Sequence, residues 1–125
     1  MNKTIATTSA PAAVGPYCQA KLCGSTLYTS GQLGLVPATG KMAEGGVEAQ
    51  AKQALENLGA VLAEAGMTFA DVAKTTCFLA DIADFAAFNA VYAQYFQGEV
   101  PARSCFAVKS LPLGGLVEIE CVAVK

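Results

Sequence analysis

The chemistry open to this chain is limited by one omission, because its 125 residues include no histidine. A Ser-His-Asp triad, a Cys-His pair and a histidine general base are therefore excluded. Five cysteines at irregular spacing, without a Cys-x-x-Cys motif, favour neither a disulfide framework nor a zinc site. We interpret most of them as buried thiols, and leave catalysis to carboxylates, arginine, lysine, tyrosine, cysteine, backbone groups or water.

Arg103 is the first candidate for a binding residue. It lies in Val100-Pro101-Ala102-Arg103-Ser104-Cys105, where a loop leads into a strand predicted over 104–109. This junction lies at the rim of a sheet, where a ligand can reach the side chain. The planar guanidinium can hold a carboxylate through two parallel hydrogen bonds. Position alone also fits a solvated or structural arginine.

Glu118 and Glu120 are the candidate acid/base groups. They share one face of a predicted last strand with Val122 and Val124. A carboxylate at the edge of an apolar patch has its pKa raised and can transfer protons near neutral pH. An ordinary solvent-facing surface or an interface salt bridge is the alternative interpretation.

Three further positions are weaker candidates. Cys105 shares a strand face with Arg103, whose charge would favour a reactive thiolate, although a packed thiol is the simpler interpretation. Tyr17 ends a Gly-Pro-Tyr corner and fits either a pocket or half-buried packing. Ser30-Gly31-Gln32 ends a strand, and Gly31 would let a ligand approach the backbone.

The elements that must position these residues follow from periodicity. Apolar residues at helical spacing predict helices over 47–65 and 85–96. Gly66 follows the first helix, and Gly98 and Pro101 follow the second. Strands are predicted over 4–8, 18–22, 25–30, 72–80, 104–109 and 116–125. This order predicts one α+β domain over residues 1–125, with two helices on one face of a mixed sheet.

The composition indicates which partners and which environment the protein surface is suited to. Only 14% of the residues are charged, against about 25% in soluble domains, which favours an oligomer that hides part of each subunit. A net charge of −2 without a basic stripe argues against nucleic-acid binding. No stretch approaches the ~20 apolar residues of a membrane span. The first residues lack the apolar core of a signal peptide, so we expect a cytoplasmic protein.

Taken together, six segments resemble the RidA (YjgF) family of reactive-intermediate deaminases, in order and with nearly matching spacing over essentially the whole chain. They are Ala10-Pro11 through Gly15-Pro16-Tyr17, Thr29-Ser30-Gly31-Gln32, Lys74-Thr75-Thr76-Cys77-Phe78-Leu79, Phe88-Asn89-Ala90-Val91-Tyr92, Pro101-Ala102-Arg103-Ser104-Cys105 and Val117-Glu118-Ile119-Glu120. Each motif is weak by itself, but six in register are specific.

The resemblance implies a chorismate-mutase-like fold and a homotrimer with sites in the clefts between subunits. It implies hydrolysis of 2-imino acids, or their enamine tautomers, to 2-oxo acids and ammonia without a cofactor. Such imines escape from pyridoxal-phosphate enzymes that dehydrate serine or threonine. Arg103 matches the carboxylate-binding arginine and Glu118 the water-positioning glutamate. Pocket positions are matched by Tyr17, Ser30, Gly31, Asn89 and Cys105.

Two departures from the family pattern bear on substrate range. The loop over 97–100 is shorter than in familiar members, and the turn over 113–116 is apolar where they carry charge. Two other functions stay open beside deamination. One is a small-carboxylate binding or sensor protein without turnover. The other is an RNA-cleaving translation inhibitor, which the acidic pI of about 5.0 argues against.

Overall fold

The computed structural model describes residues 2–125 as one sheet covered by two α-helices. The predicted α+β class and element order are confirmed. No helix in this described part of the chain is long and apolar enough to cross a membrane. The elements are β1 (Asn2–Ile5), β2 (Ala20–Cys23), β3 (Thr26–Thr29), β4 (Gln32–Leu33), α1 (Gly46–Glu64), β5 (Val72–Leu79), α2 (Phe85–Tyr95), β6 (Ala102–Ala107) and β7 (Val117–Val124).

The seven-stranded sheet is mixed, as predicted. Its order is β1-β2-β3-β7-β5-β6, and the short β4 also pairs with β7, beyond β3. β5 and β6 are parallel, while the other pairs are antiparallel. A parallel pair needs a long crossover connection, and α2 lies within the one that joins β5 to β6.

The core lies between one face of this sheet and the two helices. Leu55, Leu58, Val61 and Leu62 of α1 are fully buried, as their helical spacing predicts. Burial of each such side chain contributes about 1.5–3 kcal/mol. From the sheet, the alternate residues of β7 that the sequence assigns to one face join the same core: Val117, Ile119, Cys121 and Ala123.

The opposite face of the sheet carries the remaining alternate residues of β7. Glu118, Glu120 and Val122 are half-buried there, and Val124 is 46% exposed. Elsewhere on the sheet, Tyr28 is also largely exposed. No helix of the described chain packs on this outer face, so it presents apolar side chains together with two carboxylates.

The N-terminal strands differ from the predicted ranges because hydrogen bonds to the Gln19 side chain replace the strand-to-strand hydrogen bonds of residues 7–11. Gln19 is only 4% exposed. Its Oε1 accepts a hydrogen bond from the Thr7 amide at 2.7 Å, and its Nε2 donates to the carbonyls of Thr7 at 3.0 Å and Pro11 at 2.8 Å. Residues 7–11 therefore leave the sheet, so β1 ends at Ile5 and β2 begins at Ala20.

The strand predicted over 25–30 is followed by a second short one. β3 pairs with β7 at Val122–Val124, and β4 pairs with it at Glu118 and Ile119. Between them the ladder is broken, and the Cys121 amide donates to the Thr29 hydroxyl at 2.9 Å instead. This break sets Ser30 and Gly31 out of regular pairing, beside the outer face.

Candidate active site

Arg103 is the second residue of β6, because that strand begins two residues earlier than predicted. It is the only arginine in the chain. Arg103 pairs with Thr75, a fully buried residue on the helix side of β5. Its Nη1 donates a hydrogen bond of 2.8 Å to Oδ1 of Asn89 on α2. The structure therefore brings together two of the predicted site residues, Arg103 and Asn89.

Aromatic rings form the rest of the Arg103 environment. The guanidinium carbon lies 4.7 Å from the ring centroid of Tyr92 and 5.6 Å from that of Phe85, both within cation–π range. Its hydrogen-bond partner among residues 2–125 is a neutral amide, and only one of five N–H donors is engaged. The remaining donors and the uncompensated charge are available to an anionic ligand.

Cys105 shares the helix side with Arg103 and is aligned with Cys77 on β5. Burial raises the pKa of the Cys105 thiol, and the Arg103 charge lowers it by less, so the net shift is upward. Burial likewise raises the pKa of Cys77 to about 12. Both thiols are thus protonated at neutral pH, which favours the packed-thiol interpretation of Cys105 over a reactive thiolate.

Glu118 lines a cleft of about 750 Å³ on the other side of the sheet, together with Tyr17, Ser30, Gly31 and Glu120. Gly31 leaves room there for the Glu118 side chain. A Cβ at this position would lie 2.6 Å from Oε2 and 2.9 Å from Cγ of Glu118. The Glu118 side chain makes this close approach to Gly31, and the approach of a ligand at the same position stays a prediction.

The environment of Glu118 favours proton transfer. Burial raises the pKa of its carboxyl group, and the neighbouring Glu120 charge raises it further. Both effects disfavour the carboxylate form and bring the pKa of Glu118 closer to neutral pH. This supports an acid/base role for Glu118 over an ordinary solvent-facing charge.

Tyr17 and Ser30 border the same cleft with partly free hydroxyls. The Tyr17 side chain is 52% exposed, and its hydroxyl accepts a long hydrogen bond of 3.4 Å from the Val14 amide. The Ser30 hydroxyl donates to the Cys18 carbonyl at 2.6 Å, which leaves its own lone pairs free. Both can therefore contact a ligand bound beside Glu118.

The predicted site residues thus form two groups, and within one subunit these groups are separated by the sheet. On β5, Arg103 is opposite Thr75 and Glu118 is opposite Phe78, three residues further along. Side chains alternate along a strand, so these two positions point to opposite faces of the sheet. The described residues that line the Glu118 cleft include no lysine or arginine. A carboxylate ligand in that cleft needs a cation from elsewhere.

Some residues of the site were missed by sequence reasoning. Gln19 organises the loop that carries Tyr17, and Tyr92 lies under the Arg103 guanidinium. Leu113, by contrast, belongs to the turn over 113–116 that the sequence connects with substrate range, and it lines the cleft in a left-handed conformation, with φ of 57°, which is unusual outside glycine. A buried glutamine beside a turn-rich segment gives no periodic signal, and Tyr92 is indistinguishable in sequence from ordinary core.

Comparison with known proteins assigns the chain to a family. The family model described as Endoribonuclease L-PSP matches residues 7–125. A relative named 2-iminobutanoate/2-iminopropanoate deaminase, from Capra hircus, is 54% identical over 125 residues, which cover 100% of this chain and 91% of the relative. The chain belongs to this family, the RidA (YjgF) group, and the resemblance seen in its sequence motifs is confirmed.

Solved structures agree with this assignment. A structure described as a putative endoribonuclease L-PSP from Entamoeba histolytica has a TM-score of 0.97 and 49% sequence identity, with full coverage of both chains. The structure of E. coli TdcF with bound serine has a TM-score of 0.94 and 43% identity, and the match covers 98% of each chain. The single-chain fold is therefore shared across the family.

Proposed function

We propose that the protein hydrolyses 2-imino acids and their enamine tautomers, such as 2-iminobutanoate and 2-iminopropanoate, to 2-oxo acids and ammonia. The observation that carries this is Arg103, a single arginine at a sheet rim whose hydrogen-bond partner is the neutral Asn89. Such a guanidinium suits a small carboxylate held by two hydrogen bonds. The relatives named deaminases, about half identical over the full chain, support the same reaction.

The working form is a homotrimer of chorismate-mutase-like subunits, with each site in a cleft between two of them. Two features support this arrangement. Arg103 and Glu118 lie on opposite faces of the sheet, so one subunit supplies the cation and its neighbour the carboxylate. The outer face also exposes Tyr28, Phe106 and Val124, which marks it as an interface in a chain with few charges.

The chemistry follows from the two groups. Arg103 holds the substrate carboxylate, which places the electrophilic C=N carbon next to Glu118. Water adds to that carbon to form a carbinolamine. The C–N bond then breaks as the hydroxyl proton of the carbinolamine passes to the nitrogen, which releases ammonia and leaves a C=O bond. No electrons are exchanged with another molecule, so a cofactor is not needed.

Glu118 carries the protons in this scheme. Its carboxylate takes a proton from the attacking water and passes it to the imine nitrogen, and it then passes the carbinolamine hydroxyl proton to the departing nitrogen. A raised pKa suits this exchange, because a general base works best when its pKa lies near the working pH. Tyr17, Ser30 and Gly31 shape the pocket beside it, while Asn89 and Cys105 shape the Arg103 side.

We place the protein in the cytoplasm.

A ligand-binding protein without turnover is the second candidate. It is supported by the relative whose structure holds serine, an amino acid with a carboxylate of the same kind. RNA cleavage, which the family description names, has less support here. The seven lysines and one arginine are outnumbered by ten acidic residues, and the Glu118 cleft would repel phosphates.

A coupled assay tests the proposal. Threonine dehydratase acting on threonine generates 2-iminobutanoate, and the appearance of 2-oxobutanoate and ammonia is timed with and without this protein. Deaminase activity predicts faster release of both products at unchanged dehydratase activity. Product release at the spontaneous rate, together with measurable binding of 2-oxobutanoate, would instead establish the ligand-binding candidate.

A further inference from the structure

A buried hydrogen bond holds the aromatic ring that lies against the Arg103 guanidinium. The hydroxyl groups of Thr75 on β5 and Tyr92 on α2 are 2.8 Å apart, and the two residues are 0% and 8% exposed. Thr75 is also the residue that pairs with Arg103 across the parallel ladder. One residue therefore fixes the position of the Tyr92 ring relative to the strand that carries Arg103.

The Tyr92 ring is held between two neighbours. Phe96 stacks on it with centroids 4.5 Å apart and 29° between the ring planes. The Arg103 guanidinium carbon lies 4.7 Å from the same ring centroid. Since both groups cannot occupy one face of the ring, Phe96 takes one face and the guanidinium the other. The stack therefore runs from Phe96 in the core through Tyr92 to the Arg103 guanidinium.

We propose that Tyr92, locked by Thr75, is a positioning residue that sets the plane of the Arg103 guanidinium for two-point binding of the substrate carboxylate. This rests on the proposed function, in which Arg103 binds that carboxylate. Asn89 fixes one nitrogen of the fork through its 2.8 Å hydrogen bond. One hydrogen bond still allows the guanidinium plane to rotate about that contact. Stacking of the guanidinium on the Tyr92 ring prevents this rotation.

Orientation matters more here than charge does. A bidentate pair needs both N–H vectors aimed at the two carboxylate oxygens, and a misplacement of about 1 Å near a reacting group costs on the order of 100-fold in rate. Arginine is flexible along its stem and is ordered only by what it packs against. The Tyr92 hydroxyl adds nothing to the stacking itself, so its bond to Thr75 serves to fix the ring.

The test separates ring stacking from the hydroxyl bond. We expect Tyr92→Leu to raise KM and the Kd for 2-oxobutanoate about tenfold, since loss of a desolvated cation–π contact has that size. Tyr92→Phe keeps the ring and should restore Kd to within about threefold of the unmodified protein. Thr75→Val keeps the shape of Thr75 and frees the Tyr92 hydroxyl, so it should match Tyr92→Phe.

The double variant Thr75→Val with Tyr92→Phe gives a thermodynamic cycle. If the hydroxyl pair acts as one unit, the double variant binds 2-oxobutanoate no more weakly than either single one. Additive losses would overturn the coupling between the two residues. Because these substitutions change no volume appreciably, the cycle remains decisive even where Tyr92→Leu fails to assemble.

Two control variants exclude general loosening of α2. Val91→Ala removes a buried side chain from the same helix, and Tyr95→Phe removes a tyrosine hydroxyl that donates to Glu56 at 2.8 Å. Both should lower Tm or leave it unchanged while Kd stays as in the unmodified protein. If they raise Kd as much as the Tyr92 variants do, the role is structural and the proposal fails.

The binding measurement also keeps this proposal separate from the proposed function. Calorimetric titration with 2-oxobutanoate reports on the guanidinium whether or not turnover occurs. A protein without deaminase activity that loses affinity in Tyr92→Leu would contradict the proposed function and support the positioning role. An active deaminase in which folded Tyr92→Leu keeps its KM and Kd would contradict the positioning role alone.

Discussion

Arg103 and Glu118 lie on opposite faces of one sheet, although both of their strands pair with β5. Arg103 is aligned with Thr75 and faces the helices, and Glu118 is aligned with Phe78 and faces away from them. A reaction that uses both side chains on one small substrate must therefore draw them from two copies of the chain.

Replacement of Arg103 should abolish carboxylate binding and leave the fold intact. We expect Arg103→Ala to lower kcat/KM on the order of 100-fold or more, since hydrogen bonds to a charged group contribute about 1.5–3 kcal/mol each. Arg103→Lys keeps the charge but loses the two-point fork, so it should also be badly impaired. The coupled assay and a thermal melt measure both effects. Near-normal turnover of the lysine variant would show that charge alone suffices.

Glu118→Gln should slow hydrolysis far more than it weakens ligand binding. Glutamine keeps the shape and an acceptor oxygen but cannot take a proton, so kcat should fall about 10²–10⁴-fold. The Kd for 2-oxobutanoate should stay within about threefold, because Arg103 still holds its carboxylate. Glu120→Gln is the matched control on the same strand face. Loss of turnover in that control, with Glu118→Gln active, would reassign the acid/base role to Glu120.

The acidic limb of the pH–rate profile should depend on Glu120. Burial and the Glu120 charge both raise the pKa of Glu118. A base is active when deprotonated, so kcat/KM rises as the pH rises through that pKa. Glu120→Gln removes the negative charge, lowers the Glu118 pKa and should move this limb to lower pH. Profiles of both proteins from about pH 4 to about pH 8 measure the shift. A limb that stays in place would exclude Glu118 as the titrating group.

Gly31→Ala should impair catalysis through Glu118. The added methyl group would lie 2.6 Å from Oε2 and 2.7 Å from Cδ of Glu118, so the carboxylate must move. The flexible end of a side chain moves at little cost, so Tm should change little while kcat falls about tenfold. In a Glu118→Gln background the same substitution should add little further loss. A full additional loss there would show that Gly31 acts independently of Glu118.

Much of the fold was predictable because the signals are local. Helical spacing of apolar residues gave α1 to within one residue at each end, and strict alternation gave the buried face of β7. The N-terminal strands were misplaced because the Gln19 side chain, not the sheet, holds residues 7–11. The separate β4 was missed for a similar reason, since Thr29 bridges the break in its ladder.

The residues of the candidate site could be named from the sequence, but their arrangement in the fold could not. The segments around Arg103 and Glu118 carry recognisable motifs, so both were named from sequence. Their placement on opposite faces depends on how β6 and β7 align with β5, and that register is a long-range property of the sheet. The Thr75–Tyr92 contact joins residues 17 positions apart across a helix and a strand. No spacing rule links them.

Mixing two inactive variants tests the shared site most directly. Arg103→Ala and Glu118→Gln subunits, unfolded together in equal amounts and refolded, should combine at random in the proposed homotrimer. Wherever a Glu118→Gln subunit supplies Arg103 to an Arg103→Ala neighbour that supplies Glu118, one intact site forms. For random pairing this happens at about one quarter of the sites. We expect the mixture to recover about a quarter of the unmodified activity, whereas activity no higher than that of the separately refolded variants would contradict a site shared between subunits.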